Sequence, residues 1–224
     1  SMKKLKTKYM AMVVMVLGIA TISFFACRFT KENKDRNIYG VDLSHHNCVE
    51  DWDQVTASFV YLKATEGATH QDETFKRFAH NAQKRGILVG AYHFMTTSSS
   101  SEEQFQNFHQ ATAGIKMDLI PVIDIERQTK GYKVSGNELR RRVRVFVNLC
   151  KKHYGKNPII YCSQPFYTKN FLGHFNDCQY WCGDVNAPVV LPHAIHQKTI
   201  KKVAGIKGKV DYNILNCKLK EIQL

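Results

Sequence analysis

The sequence predicts a closed β/α barrel. Three observations carry this. From residue 38 onward, short β-branched runs alternate with amphipathic helical patterns. After the fifth run the helices fade, yet three more strand-like segments follow. Several of the runs end on an acid. Apolar strands alternating with helices imply parallel strands covered by helices. Five β/α units followed by three helix-poor strands make eight, enough to close a TIM-like α/β barrel. The competing architecture, an open doubly wound sheet, usually carries a glycine-rich phosphate loop after its first strand, and "DLSHHN" (42–47) is not one.

The N-terminus stands apart. Lys3, Lys4, Lys6 and Lys8 precede Tyr9–Ala26, a stretch without charge that ends in "FFAC". This is longer than a usual signal-peptide core and reaches the lower range of a membrane-spanning helix. A small residue before Cys27 resembles a bacterial lipobox, with Phe24 where leucine is usual. Three readings fit residues 1–27: a lipid anchor through Cys27, an uncleaved signal anchor, and a cleaved signal peptide. The first is the expectation. The lysines should stay cytoplasmic, which places the rest of the chain on the periplasmic or outer face. Residues 28–37, "RFTKENKDRN", read as a polar tether. Residues 38–224 then form one domain with room for a substantial core.

Each barrel element has its own signal. "NIYGVDLS" gives a strand at about 38–42 and "SFVYLKATEG" one at about 59–64. "DETFKRFAHNAQKRG" sets Phe75, Phe78, Ala79 and Ala82 on one helical face and stops at Gly86. "ILVGAYHF" is the third strand. In the helix that follows, Ser101 and Gln104 have the spacing of a capping box. "LIPVIDIE" (119–126) is the fourth strand. Leu139, Val143, Phe146, Val147 and Cys150 then share a helical face that ends at glycine. "NPIIYCS" is the fifth strand, and 178–184, 193–199 and 208–213 are the last three.

Composition narrows the class. The chain is 44% hydrophobic and 11% aromatic, which excludes a disordered protein. Of the net charge of +13, residues 1–36 carry +6 (eight basic, two acidic) and the remainder +7. That excess suits an anionic polymer such as a cell wall, or simply a solvated surface. Export argues against nucleic acid. Arg140, Arg141, Arg142 and Arg144 likewise read as a solvated helix face or a contact with anionic lipid or wall polymer. The six cysteines after Cys27 permit up to three disulfides. No CxxC pair suggests structural zinc.

The strand ends carry the chemistry. Asp42 closes the first strand, Glu66 the second, Tyr92 and His93 the third, Asp124 and Glu126 the fourth, Tyr161 the fifth and Asp211 the eighth. In a β/α barrel such ends open onto one face, and closure makes the first and last strands neighbours, so Asp42 and Asp211 should meet. Asp124 and Glu126, two apart on a strand, point the same way with Cα atoms roughly 6–7 Å apart. Clustered carboxylates do not all ionise cheaply, so at least one should keep its proton. A protonated acid beside ionised ones is what glycosidic cleavage requires. Taken singly, each acid also reads as a helix cap, a solvated edge or part of a cation site. His45, His46 and His93 near the mouth read as groove-lining or packed residues, or as metal ligands.

Together, "YGVDLSHHN…DW", "YLKATEG", "GAYHF", "PVIDIE", "NPIIYCS" and "KVDYN" resemble the motif series of the glycoside hydrolase family 25 lysozymes, the Chalaropsis-type muramidases. The resemblance runs in order from about 38 to 213. It implies a barrel whose last three strands lack regular helices. It implies hydrolysis of the β-1,4 bond between N-acetylmuramic acid and N-acetylglucosamine in peptidoglycan glycan strands, with no cofactor and no metal. By motif, Glu126 is the general acid, Asp124 and Asp42 flank it, and Asp211 completes the set. Tyr92, Tyr161, Glu66, Trp181 and Gln197 are the expected sugar-binding residues. Substrate-assisted and direct-nucleophile mechanisms both remain open. Three departures stand out: Asn47 replaces a usual glutamine, His196 a usual tryptophan, and "YWCGDV" lacks a groove tyrosine. A monomeric muramidase held at the membrane is the leading expectation. A weak or inactive glycan-binding relative and a non-enzymatic scaffold for wall-remodelling partners are the alternatives.

Overall fold

In the computed structural model the described residues are 38–185 and 189–224. The expected leader 1–27, its Cys27 and the tether 28–37 lie outside them. Eight strands close a barrel: β1 (Tyr39–Leu43), β2 (Phe59–Glu66), β3 (Leu88–Phe94), β4 (Val122–Asp124), β5 (Ile159–Cys162), β6 (Tyr180–Cys182), β7 (Ile195–Lys201) and β8 (Val210–Leu215). Neighbours from β1 to β7 are parallel. β8 is antiparallel to both β7 and β1 and completes the ring.

The helices are α1 (Phe75–Lys84), α2 (Ser101–Thr112), α3 (Gly136–Tyr154) and α4 (Gln164–Asn170). After β1 there is only a 3₁₀ turn, Trp52–Gln54, so the first of the five expected β/α units has no α-helix. α3 shows how local sequence sets its limits. Ser135 caps it by accepting from the Glu138 N–H, and the stripe Leu139, Val143, Phe146, Val147 and Cys150 is buried. Gly155 ends it at φ 79, where the Gly155 N–H bonds the Lys151 carbonyl.

Three sequence expectations shift. The capping box of α2 is Ser100 with Glu103, one residue earlier than expected. Ser101 donates instead to the Arg142 carbonyl, and Gln104 turns inward. The fourth strand shrinks to three residues, because Pro121 has no N–H to continue the ladder. The direction of β8 is the third. Asp211 sits near its start, not its end, and reaches the mouth because the strand runs backwards. The six cysteines of the domain are free thiols.

Strand alternation sorts the core into two layers. Val60, Leu62 and Ala64 face the helices, with Phe78, Phe108 and Phe146. Phe59 and Tyr61 fill the barrel, with Val122, Ile159, Trp181 and Ile195. Two glycines make room for the aromatics. A Cβ on Gly40 of β1 would lie 2.2 Å from the Phe59 ring, and one on Gly90 of β3 would lie 2.2 Å from the Tyr61 ring. These rings are fully buried, and the Tyr61 hydroxyl donates to the Ile120 carbonyl at 3.1 Å. His93 faces the other way. It is fully buried, stacked on Phe146 at 4.9 Å, with Nδ1 2.8 Å from Thr65 Oγ1 and Nε2 3.0 Å from Gln104 Oε1. Gln104 Oε1 also accepts from the Thr96 N–H, which fixes it as the acceptor and puts the His93 proton on Nε2.

Two outcomes follow from this packing. Gly90→Ala should lower stability by about 1–3 kcal/mol, the usual cost of overpacking, as read from urea denaturation. A loss within experimental error would mean Tyr61 has space to move. Burial pushes His93 down to about 4, against about 6.5 in an unfolded chain. Between those values only the unfolded chain binds the proton. The contribution of His93 to stability is therefore intact above about pH 6.5 and lost as pH falls towards 4. Between pH 7 and 4.5, His93→Gln should lose about 2 kcal/mol less than the wild type, and equal losses would refute the neutral buried ring.

Candidate active site

The mouth of the barrel holds a cavity of about 280 Å³. Its lining includes all four expected acids: Asp42, Asp124, Glu126 and Asp211. Asp42 lies directly opposite Asp211 in the antiparallel β1–β8 register. Asp124 is the last residue of β4 and only 9% exposed, whereas Glu126, two residues on, is exposed. The strand therefore delivers one carboxyl to the floor of the cavity and one to its rim.

Electrostatics separates the group from ordinary surface acids. Burial, then the charges of Glu126 and Asp42, raise Asp124 well above the usual carboxylate range, and Lys63 opposes this. Burial, then the charge of the facing Asp211, raise Asp42. Asp211 is raised by burial. The buried Oδ1 of Asp124 has no hydrogen-bond partner among the described residues. A buried carboxyl in this position holds its proton to higher pH than a surface acid, the direction that acid-catalysed glycoside cleavage needs.

Two amides brace the facing pair. Asn213 Nδ2 donates to Asp42 Oδ2 at 2.8 Å, and the Trp181 indole N–H donates to Asn213 Oδ1 at 3.1 Å. Gln197 Nε2 donates to Asp211 Oδ1 at 2.5 Å, and the Tyr161 hydroxyl donates to Gln197 Oε1 at 2.7 Å. Gln197 and Asn213 are register partners on β7 and β8, beside a bulge between Tyr212 and Asn213.

The expected sugar-binding residues divide. Tyr92, Tyr161, Trp181 and Gln197 all line the cavity, although Trp181 is 2% exposed. Glu66 is not among the lining residues and pairs with Lys63 at 2.5 Å. Sequence reasoning missed Lys63, although it stands two residues beyond the inward-facing Tyr61 and lines the cavity. It missed Asn213 as well, which stands two residues after Asp211 on the same strand face. Phe94 and Ser44 also line the cavity.

The histidines and the departures lie mostly at the edge. His46 lines the cavity, while His45 Nδ1 pairs with Asp72 at 2.7 Å. His93 is packed behind the sheet and is not a mouth residue. Among the described residues no three His, Cys, Asp or Glu side chains are grouped to hold a metal ion. Asn47 closes a turn by accepting from the Ser44 N–H at 2.9 Å. His196 turns to the Asp184 carbonyl at 2.9 Å, leaving the acids undisturbed.

Comparison with known proteins agrees with this geometry. Residues 41–198 match the model of the glycosyl hydrolases family 25. The chain is 32% identical over 220 residues to YegX of Escherichia coli K12, covering 92% of this chain and 78% of that protein. It is 30% identical over 200 residues to Lysozyme M1 of Streptomyces globisporus, covering 80% and 68%. The crystal structure of the bacterial lysozyme from Streptomyces coelicolor superimposes with a TM-score of 0.76 at 28% identity, over 84% of this chain and 96% of that one. By sequence match, by fold and by the acids gathered at its mouth, this chain belongs to glycosyl hydrolase family 25.

Proposed function

We propose that the domain is a muramidase that hydrolyses the β-1,4 bond between N-acetylmuramic acid and N-acetylglucosamine in peptidoglycan. The carrying observation is the buried Asp124, its carboxyl raised well above the usual range, set among Asp42, Asp211 and Glu126 in one cavity. Family membership and the likeness to proteins named as lysozymes support the substrate class. Glu126, at the exposed rim, is the group that reaches the glycosidic oxygen of a long polymer and protonates it. Asp124 and Asp42 lie under the sugar that becomes positively charged, and Asp211 completes the negative field. The unpartnered Asp124 Oδ1 finds its partner in the bound sugar. Tyr92, Tyr161 and Phe94 supply ring surface to the groove.

A weak or silent relative draws its support from His196 and Asn47. Both residues bond away from the acids, so the hydrolytic reading is preferred.

We further propose that residues 1–27 hold the enzyme at the membrane through an acylated Cys27, with the domain facing the wall. The lysine cluster, the uncharged stretch and Ala26–Cys27 support this.

Purified peptidoglycan is the substrate for the first test. The wild type should release muramic-acid reducing ends, and Glu126→Gln should slow release by about 10²–10⁴-fold, the usual worth of a general acid. Binding without release by the wild type would leave only a glycan-binding role. The rate should be highest at acidic to neutral pH and fall as pH rises, because the proton that Glu126 delivers must be held on the Asp124–Glu126 pair, where burial and the charge of Glu126 raise Asp124. A rate still climbing above pH 9 would sink the mechanism. For the anchor, cells fed a radioactive fatty acid should label the wild type and not Cys27→Ser. An unlabelled wild type rules out lipidation.

A further inference from the structure

The two braces under the facing acids look alike but differ in one chemical respect. An indole N–H donates and never accepts, whereas a phenol hydroxyl does both. Trp181 and Asn213 are buried, at 2% and 0% exposure, so water does not substitute for either. The indole therefore fixes Asn213 with Oδ1 towards Trp181 and Nδ2 towards Asp42. Turning that amide over would set two N–H donors against each other and leave both unsatisfied. On the other side, Gln197 can turn over and still make two hydrogen bonds. The Tyr161 hydroxyl then accepts from Nε2, and a protonated Asp211 donates to Oε1. The bonds seen here, Tyr161 to Oε1 and Nε2 to Asp211, are the arrangement for ionised Asp211.

We propose that the two braces divide the labour of the acid pair: Trp181 and Asn213 hold Asp42 as a permanent carboxylate, while Tyr161 and Gln197 let Asp211 take up and release a proton. Trp181 and Asn213 are then positioning residues, as is Gln197. The proposal rests on the hydrolase reading for its purpose: a fixed negative charge lies beneath the sugar, and its neighbour relieves the repulsion. It rests on hydrogen-bond chemistry alone for its content.

The surroundings do not make the choice. Asp124 and Glu126 face the pair from the segment ending β4, and the charge of Glu126 raises Asp42. Lys63 of β2 and His46 after β1 line the same cavity, as do the hydroxyls of Tyr92 and Tyr161. Burial and the charge of Asp211 raise Asp42 to about 7 even with the Asn213 bond in place, while Asp211 is raised by burial, and burial favours the proton on Asp42. The fixed amide acts against it, since an amide N–H bonds a carboxylate more strongly than a carboxylic acid. The proposal therefore predicts an order that burial would reverse.

Carbon-13 NMR of the full chain carrying labelled aspartate carboxyls reads that order directly, with Asp42→Asn and Asp211→Asn spectra assigning the two signals. As pH falls from neutral, Asp211 should protonate first while Asp42 keeps its ionised shift. Asn213→Leu should raise the Asp42 titration by about one pH unit, the worth of one hydrogen bond to a charged group. Gln197→Leu should move Asp211 by less than half as much, because it removes a bond from both protonation states. Trp181→Phe keeps the ring but frees the Asn213 amide, and Asp42 should then titrate upward as in Asn213→Leu. Asp42 protonating before Asp211 in the wild type overturns the proposal, as do equal displacements in the two amide variants. If a variant fails to fold, the wild-type order still decides. These titrations need no substrate, so their failure leaves the muramidase reading standing, and an inactive enzyme with the expected order leaves this proposal standing.

Discussion

The pairing of β8 with β1 is the contact on which the site depends. It closes the barrel, and because β8 runs antiparallel it brings Asp211 against Asp42. The same reversal places Asn213, two residues further along β8, where its amide reaches Asp42. A parallel eighth strand would carry Asp211 away from the mouth, since its acid stands at the strand's beginning. Closure of the barrel and assembly of the acid cluster are thus one requirement. The ladder that removes the last free edge of the sheet also assembles two of its four acids.

Burying acids is costly, and the fold offsets the cost locally. Asp42 and Asp211 each receive one amide donor, and each amide is held by an aromatic donor. Those aromatics belong to the barrel's own filling. Trp181 packs against Tyr61 at 5.2 Å, and Tyr61 lies over Gly90. The chain of constraint runs from a missing Cβ on β3, through two rings packed at a tilt, to the amide that touches Asp42. A packing fault on the far side of the barrel should therefore register in the chemistry, and the glycines and the acids form one mechanical unit.

Much of this was legible in the sequence, for identifiable reasons. The Asp124–Glu126 pair depends only on strand geometry, and Asp42 meeting Asp211 only on closure. Alternation revealed the barrel, apolar stripes revealed α1 and α3, and a serine cap marked α2. What was hidden depended on distant contacts. The direction of β8 is set by how the chain turns after β7, where no helix signals a crossover. Trp181 was expected as a sugar platform, yet its ring edge serves Asn213 from inside the wall, because side-chain direction is fixed by strand phase rather than residue type. Gln104, expected to cap α2, instead reaches His93, since Glu103 makes the better charged cap for Ser100. Lys63 was obscured by its motif: inside "YLKATEG", it is the acidic residue that draws the eye.

The balance of charge in the cavity explains why the resting site is only half satisfied. Four acids line it against one lysine, which is already paired with Glu66. Asp124 keeps a buried oxygen without a partner among the described residues. Such an arrangement stabilises a neutral sugar little, but it matches a sugar ring on which positive charge is developing. Catalysis requires interactions that strengthen between ground state and transition state, and acids already oriented around the cavity would provide them without reorganisation. In the proposed mechanism the unfavourable burial of these acids, which the amides relieve only in part, is therefore the source of catalysis. A site that fully neutralised its carboxylates would be more stable and would have nothing left to offer the transition state.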